Sequence, residues 1–308
     1  MKKGLVIKST GSWYYVLSSE GEKIPCKIRG TYRIRGIRAT NPVAVGDTVN
    51  FQMNDEESGV ITDISQRRNY IIRKSANLSR EYQLIASNID QAVLMISLSR
   101  PRTHLAFIDR FLVSAEAFRI PVVLLFNKTD IYSAQETEEM NTLIRLYKKI
   151  GYDALSISLH TKSNVKLLYD LFSKKTTVIT GNSGVGKSTL LNFLDPALGL
   201  KTREISESSK AGQHTTTYAE MYFPMPETRI IDTPGIKGFG MVDIDKEELF
   251  HFFPEIFYFS KDCKFHNCMH VNEPSCAVIE AVVSDKISES RYLNYLDLLD
   301  DMGDKYRK

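Results

Sequence analysis

Two hydrophobic patterns divide the chain. From Gly4 to about Lys74 apolar residues come in short β-type runs: Leu5-Val6-Ile7, Trp13-Tyr14-Tyr15-Val16-Leu17, Thr48-Val49-Asn50-Phe51 and Gly59-Val60-Ile61-Thr62. Turn signals such as Ser19-Glu20-Gly21, Val45-Gly46-Asp47 and Glu57-Ser58-Gly59 break them, which predicts a small all-β barrel. An OB-fold, with about five strands in about this length, is the barrel that fits. After Asn88 the pattern changes. Ala92 to Leu98 and Val122 to Phe126 are near-continuous apolar runs, and His104 to Arg119 between them reads as a helix. Continuous apolar strands alternating with helices predict a parallel sheet covered on both faces. Further helices are expected at Glu136–Ile150 and Val165–Lys174, and a short strand leads into Ser158-Leu159-His160. Thr176–Thr180 reads as a strand feeding a helix at Leu190–Leu194, and Arg229–Asp232 as another strand. Ala277–Ser284 and Ser290–Met302 look helical.

At 308 residues the chain is long for one domain, and a composition of 43% hydrophobic and 25% charged residues is that of a packed, globular protein. No apolar run approaches the ~18 residues of a membrane span, and Met1-Lys2-Lys3-Gly4-Leu5 lacks the apolar region of a signal peptide. A cytoplasmic protein without membrane contact is expected. The net charge of +3 is small but unevenly spread: residues 1–74 hold 13 Lys+Arg against 7 Asp+Glu, so this segment carries +6 and the remainder −3. Lys23, Lys27, Arg29, Arg33, Arg35 and Arg38 occur without an intervening acid, with Tyr32 among them. On a barrel loop such a run would meet phosphates, with the aromatic free to stack on a base. A solvated basic loop is the plainer alternative, and the charge asymmetry favours nucleic acid.

The densest chemical signal is Gly181-Asn182-Ser183-Gly184-Val185-Gly186-Lys187-Ser188-Thr189, set between a strand and a helix as a P-loop requires. Its glycines let successive N–H groups face inward, and the helix N-terminus adds partial positive charge, so the loop cradles phosphate. Lys187 would reach the β- and γ-phosphates and the Ser188 hydroxyl would hold Mg²⁺. A Gly-rich turn that happens to carry a lysine is the competing reading. Asn127-Lys128-Thr129-Asp130 leaves the end of an apolar strand, where ligands of such sheets sit. The Asp130 carboxylate can accept hydrogen bonds from N1–H and the exocyclic amine of guanine, whereas adenine presents the wrong edge. Gly212-Gln213-His214-Thr215-Thr216-Thr217 is polar and could close over the γ-phosphate, with Thr216 as a second Mg²⁺ ligand. In Asp232-Thr233-Pro234-Gly235, Asp232 can hold Mg²⁺ through a water and the Gly235 N–H can sense the γ-phosphate. Together these make a GTPase set. A P-loop kinase fits less well, since it would leave Asn127–Asp130 without a role.

In an ordinary GTPase the phosphate loop comes first, but here Asn127–Asp130 precedes Gly181 by about fifty residues. The site needs only a spatial arrangement at one sheet edge, so the domain is expected to be circularly permuted. The chain thereby resembles the RsgA (YjeQ) family of ribosome small-subunit-dependent GTPases. The likeness runs over the whole length and rests chiefly on Gly181–Thr189, Gly212–Thr217, Asp232–Gly235 and a cysteine cluster. It implies GTP hydrolysis stimulated by the small ribosomal subunit during late maturation of that subunit, with rRNA as a partner. One departure lies at Ser158-Leu159-His160, the guanine-side loop, where the family's usual Ser-Ala-Lys is replaced.

The cluster is Cys263-x4-Cys268-x-His270-x5-Cys276, three of the four cysteines of the chain within fourteen residues. Thiolates and an imidazole at short spacing suit one tetrahedral Zn²⁺, and four protein ligands leave no open position, so the role is structural. A disulfide does not suit the expected compartment. His266 is a competing ligand that breaks the family spacing, and Cys26 stands apart as an ordinary thiol. After Asp232-x-x-Gly235, where many GTPases place a water-orienting glutamine, this chain has Ile236. His214 is then the candidate for orienting the attacking water, a role that the family motif also implies, with packing or RNA contact as its plainer alternative. Lys187 is the other catalytic candidate.

These readings combine into an α/β protein: a circularly permuted P-loop GTPase domain (76–240) with an N-terminal OB-fold β-barrel (1–75) and a C-terminal zinc-binding, mostly helical domain (241–308). The expected nucleotide contacts are Asn127, Lys128, Thr129, Asp130, Ser158, Gly181 to Thr189, Thr216, Asp232 and Gly235, and the expected state is a monomer. The alternative of another class is an RNA-binding regulatory module in which GTP acts only as a conformational switch.

Overall fold

The computed structural model of the chain describes residues 2–28, 39–54, 57–74, 82–202, 219–233 and 244–303. In its N-terminal part the strands are β1 (Lys2–Ser9), β2 (Tyr14–Ser18), β3 (Lys23–Ile28), β4 (Ala39–Asn41), β5 (Thr48–Met53) and β6 (Gly59–Ile64). β1, β2, β3, β6 and β5 pair in that order, and β5 closes back onto β1. Only the β3–β6 pairing in this ring is parallel, which is the closure of an OB-type barrel. The period-2 alternation turns Val6, Tyr14, Val16, Ile24, Cys26, Val49, Phe51 and Ile61 inward into one core. Closure leaves no room at Gly4, where a Cβ would sit 2.4 Å from Val16 Cγ1. The basic run begins inside β3 rather than in a loop. Ile24 and Cys26 face the core, while Lys23 lies 5.0 Å from the Tyr15 ring and Lys27 4.4 Å from the Trp13 ring. Arg29, Tyr32, Arg33, Arg35 and Arg38 lie outside the described residues.

A hairpin of β7 (Tyr70–Lys74) and β8 (Tyr82–Ser87) follows, and β4 adds to it as a third strand. The barrel is pinned to this hairpin by a buried ion pair. Arg67 donates to both carboxylate oxygens of Asp47 (2.7 and 2.6 Å), and Ser87 Oγ donates to one of them (2.6 Å).

The central sheet has β11 (Asp153–Ser156), β10 (Val122–Phe126), β9 (Gln91–Ile96), β12 (Thr176–Gly181) and β14 (Arg229–Asp232) side by side and parallel, with β13 (Glu220–Tyr222) antiparallel beside β14. In β9, Ala92, Leu94 and Ile96 face the layer of α1 (Leu105–Ala117) and α2 (Ala134–Ile150). Val93 and Met95 face α3 (Lys166–Phe172) and α4 (Lys187–Leu194). Both faces are therefore covered, as the apolar runs predict. β10, with the Asn127 motif, precedes β12, with the P-loop, so the domain is circularly permuted. β13 pairs with β1 through Lys8 and Glu220, whose side chains form a 2.9 Å ion pair, and the sheet thus continues into the barrel. Leu5 and Ile7 of β1 join the central core while Val6 joins the barrel core.

The C-terminal part comprises a 3₁₀ segment Lys246–Phe252, α5 (Pro254–Ser260), α6 (Ala277–Val283) and α7 (Glu289–Gly303). Leu249, Phe253, Ile256, Val278, Tyr295 and Leu298 pack together with Val113 of α1. Arg291 of α7, fully buried, donates to Asp109 of α1 (2.7 Å) and with two nitrogens to Glu255 of α5 (2.6 and 3.1 Å). Among the described residues no helix is long and apolar enough to cross a membrane.

Candidate nucleotide site and metal centre

β11, β10, β12 and β14 end on the same side of the sheet, and the loops leaving them carry the motifs. The loop after β12 curls through Gly184 and Gly186, with φ of +82° and +111°, and enters α4 at Lys187. Ser183 and Gly184 are exposed at its mouth while Val185 is buried beneath. Lys187 Nζ donates to the carbonyls of Gly181 (2.8 Å) and Asn182 (3.0 Å), so the ammonium is folded back over the loop. Burial lowers its pKa and the Asp232 charge opposes that shift. Ser188 is half-buried in the first turn of α4, beside Thr189.

Asn127 joins the motifs. Its Nδ2 donates to Val185 O (2.9 Å), its Oδ1 accepts from Leu159 N (3.4 Å), and its main-chain N–H donates to Ile96 O (2.8 Å). One side chain, 2% exposed, thus spans the glycine-rich loop after β12 and the loop after β11. Gly186 is required for that approach, since a Cβ there would lie 2.4 Å from Asn127 Nδ2. Lys128 adopts φ +66° and donates from Nζ to Arg100 O (2.6 Å). Burial lowers its pKa and Asp130 opposes the shift. Both the N–H and the hydroxyl of Thr129 donate to Ile157 O (3.4 and 3.2 Å). The Asp130 carboxylate accepts from the Ser158 hydroxyl, which in turn accepts from Thr161 N (3.0 Å). Asp232 ends β14, 3% exposed, and Thr233 Oγ1 donates to Ile179 O (3.2 Å). His214, Thr216, Gly235 and Ile236 lie outside the described residues.

A loop that the motifs do not announce also borders the site. After β9 the chain passes Ser97 to Thr103, where Pro101 Cδ lies 3.6 Å from the Cβ position of Gly184 and Arg100 O receives Lys128. Tyr132 ties this loop to the Asn127–Asp130 segment: its hydroxyl accepts from Leu98 N (2.9 Å) and donates to Asn127 O (2.8 Å). The sequence signal for this loop is its position just beyond an apolar parallel strand.

In the C-terminal part the donor atoms of Cys263, Cys268, His270 and Cys276 lie within 4.8 Å of one another. His270 Nδ1 is 3.6 Å from Cys263 Sγ and 3.5 Å from Cys276 Sγ, and these two sulfurs are 3.9 Å apart. A tetrahedron with metal–sulfur bonds of ~2.3 Å and a metal–nitrogen bond of ~2.0–2.1 Å has S···N edges of about 3.5–3.6 Å and S···S edges of about 3.8 Å. The group could hold a metal ion. His266 is exposed and stands outside it. Burial lowers the pKa of His270, which favours the neutral imidazole a ligand must be, and burial pushes the Cys268 thiol up to about 12. Such a pocket disfavours thiolate unless a cation is present. Glu273 folds the loop by accepting from the amides of Met269, Val271 and Asn272 (2.7, 2.8 and 3.1 Å). Tyr292 and Tyr295 of α7 donate to His270 O and Met269 O, each at 2.7 Å. Cys26 is remote from this centre, in the barrel core, where burial raises its pKa to about 11.

Residues 64–242 match the RsgA GTPase family and residues 3–61 the RsgA N-terminal domain. A relative from Christiangramia forsetii, named small ribosomal subunit biogenesis GTPase RsgA, is 52% identical over 99% of this chain and 98% of its own. One of the same name from Bacteroides fragilis is 51% identical over 99% of each. Among solved structures, YjeQ from Thermotoga maritima superposes with a TM-score of 0.77 at 32% identity, covering 98% of both chains. YloQ, described as a circularly permuted GTPase, gives 0.71 at 32% identity over 98% of this chain and 95% of that one. With the motifs gathered at one sheet edge in permuted order and likeness of this extent along the full length, the chain belongs to the RsgA GTPase family.

Proposed function

We propose that this chain acts in late maturation of the small ribosomal subunit, hydrolysing GTP to GDP and phosphate when it docks on that subunit through rRNA. The observation that carries the reading is the Asn127 side chain, which bonds to Val185 O of the phosphate loop and Leu159 N of the guanine-side loop, so that base and phosphate recognition form one unit. The names of the relatives, small ribosomal subunit biogenesis GTPase RsgA, support the choice of partner. The division into barrel (1–75), GTPase domain (76–240) and metal-binding domain (241–308) remains our functional reading. Tyr15, Lys23 and Lys27 of β2 and β3, with Trp13 just before β2, have the aromatic and cationic character that suits RNA. A cytoplasmic monomer fits this role.

In the reaction, Asp130 accepts the two donors of guanine, and the main-chain N–H groups of Gly181 to Thr189 surround the phosphates with Lys187 neutralising charge. Ser188 and Thr216 would hold Mg²⁺, with Asp232 behind them, and the ion would neutralise charge developing on the phosphoryl oxygens. His214 orients the attacking water. Zn²⁺ on Cys263, Cys268, His270 and Cys276 would serve as a structural clamp for the loop they occupy. Turnover of GTP is to be measured alone, with purified small subunits and with large subunits. Stimulation by small subunits alone supports the proposal. Equal turnover in all three, with GTP-dependent subunit binding intact, would favour an RNA-binding module that uses GTP only as a switch.

A further inference from the structure

The departure at Ser158-Leu159-His160 acquires a geometry in the fold. The segment is a tight turn: Ser158 N donates to Ser163 O (3.1 Å), Thr161 N donates to Ser158 Oγ (3.0 Å), and Asn164 Nδ2 ties the far end to Ser156 O (3.1 Å). The main chain of His160 is thus held, although its side chain is 87% exposed. Its Nδ1 lies 3.6 Å from Asp130 Oδ2, while the Ser158 hydroxyl donates to Oδ1. Each carboxylate oxygen of Asp130 therefore has a protein group against it, in a side chain only 14% exposed. A carboxylate offers about four lone-pair sites, so one on each oxygen remains for a ligand. The carboxylate torsion is broad and roughly two-fold. Ser158 alone would hold that torsion by a single contact, and His160 adds a second on the other oxygen.

We propose that His160 is a specificity-positioning residue of the guanine pocket: with Ser158 it brackets the Asp130 carboxylate and holds its plane in register with both N1–H and the 2-amino group of guanine. This rests on the reading of Asn127–Asp130 as the guanine motif. At 3.6 Å the contact is longer than a hydrogen bond, so a lysine ammonium of similar reach serves the same purpose. His160 acts through Asp130 and need not touch the base.

The test is a direct titration of GDP, IDP and ADP against the parent, His160→Ala, His160→Lys and the same His160→Ala change in an Asp130→Asn background. Inosine retains N1–H and lacks the 2-amino group, so it reports the loss of the second hydrogen bond. His160→Ala should lower the GDP/IDP affinity ratio by about two- to five-fold, the size of a single exposed polar contact. His160→Lys should restore the ratio, and the effect of His160→Ala should vanish in Asp130→Asn, as coupled sites require. A parent that binds ADP as tightly as GDP overturns the guanine reading and this proposal with it. A guanine-selective parent whose His160→Ala variant keeps its GDP/IDP ratio, or whose loss persists in Asp130→Asn, overturns this proposal alone.

Discussion

Arg291→Met should uncouple the C-terminal helices from the GTPase domain. The guanidinium and the Asp109 carboxylate are each 1% exposed and Glu255 is 9% exposed, so all three charges are out of water. Asp109 also accepts from Tyr147 (2.8 Å) and Asn294 (2.5 Å), and the guanidinium lies 4.6 Å from the Phe253 ring centre. Burial alone would lower the Arg291 pKa, but the two carboxylates outweigh it and hold the group well above its usual value. Methionine fills much of the space and removes the charge, leaving two buried carboxylates facing each other without a cation. Breaking a buried pair in this way costs ~3–5 kcal/mol, far more than the ~1 kcal/mol at most of an exposed pair such as Arg145 and Glu138. At ~2–4 °C per kcal/mol for domains of this size, the transition should fall by about 6–20 °C. The assay is thermal unfolding of Arg291→Met, Asp109→Asn and the double variant at fixed pH. The Asp109→Asn change relieves the stranded charge, so the double variant should lose less than the sum of the singles by ~0.5–3 kcal/mol. A melting temperature for Arg291→Met within about 2 °C of the parent, the scale of an exposed substitution, would refute the reasoning.

Asp130→Asn removes the acceptor for two charge-assisted hydrogen bonds of ~1.5–3 kcal/mol each, so GTP affinity should fall by on the order of 10²-fold or more while xanthosine triphosphate gains; unchanged GTP affinity in a titration would exclude the assignment. Gly186→Ala places a Cβ 2.4 Å from Asn127 Nδ2 at a φ of +111°, and nucleotide binding should drop at least tenfold by calorimetry. Cys268→Ser should bring metal content below one per chain and loosen the C-terminal core while GTP binding persists, whereas His266→Ala should leave full metal occupancy; the reverse pattern in elemental analysis would reassign the ligand. His214→Ala should bind GTP and subunits yet lose subunit-stimulated turnover by a factor on the order of 10², and full stimulation of that variant would mean that the subunit itself orients the water.

The division of labour between sequence and tertiary structure follows the range of the interactions. Gly181–Thr189 is legible in one dimension because its work is done by the backbone of nine adjacent residues and the helix they open. The barrel and the parallel sheet are legible because burial on one face or both writes a repeat into each strand. Cys263, Cys268, His270 and Cys276 are legible because donor groups that could hold one small ion lie close in sequence as well as in space. The groups that assemble these parts are separated along the chain. Asn127 meets Val185 across 58 positions and Arg291 meets Asp109 across 182. Within Glu289–Gly303, Arg291 reads as an ordinary charge on a polar helix, and its complete burial is decided by two carboxylates on other helices. Tyr70–Lys74 and Tyr82–Ser87 carry neither a regular alternation nor a continuous apolar run, and stand out only once they pair. His160 reads as a replacement for lysine, and only the turn that Ser158 closes brings its ring to Asp130. Local backbone chemistry and burial period are properties of the sequence itself. The partner of a buried charge, and the groups that flank the Asp130 carboxylate, exist only once distant segments have packed.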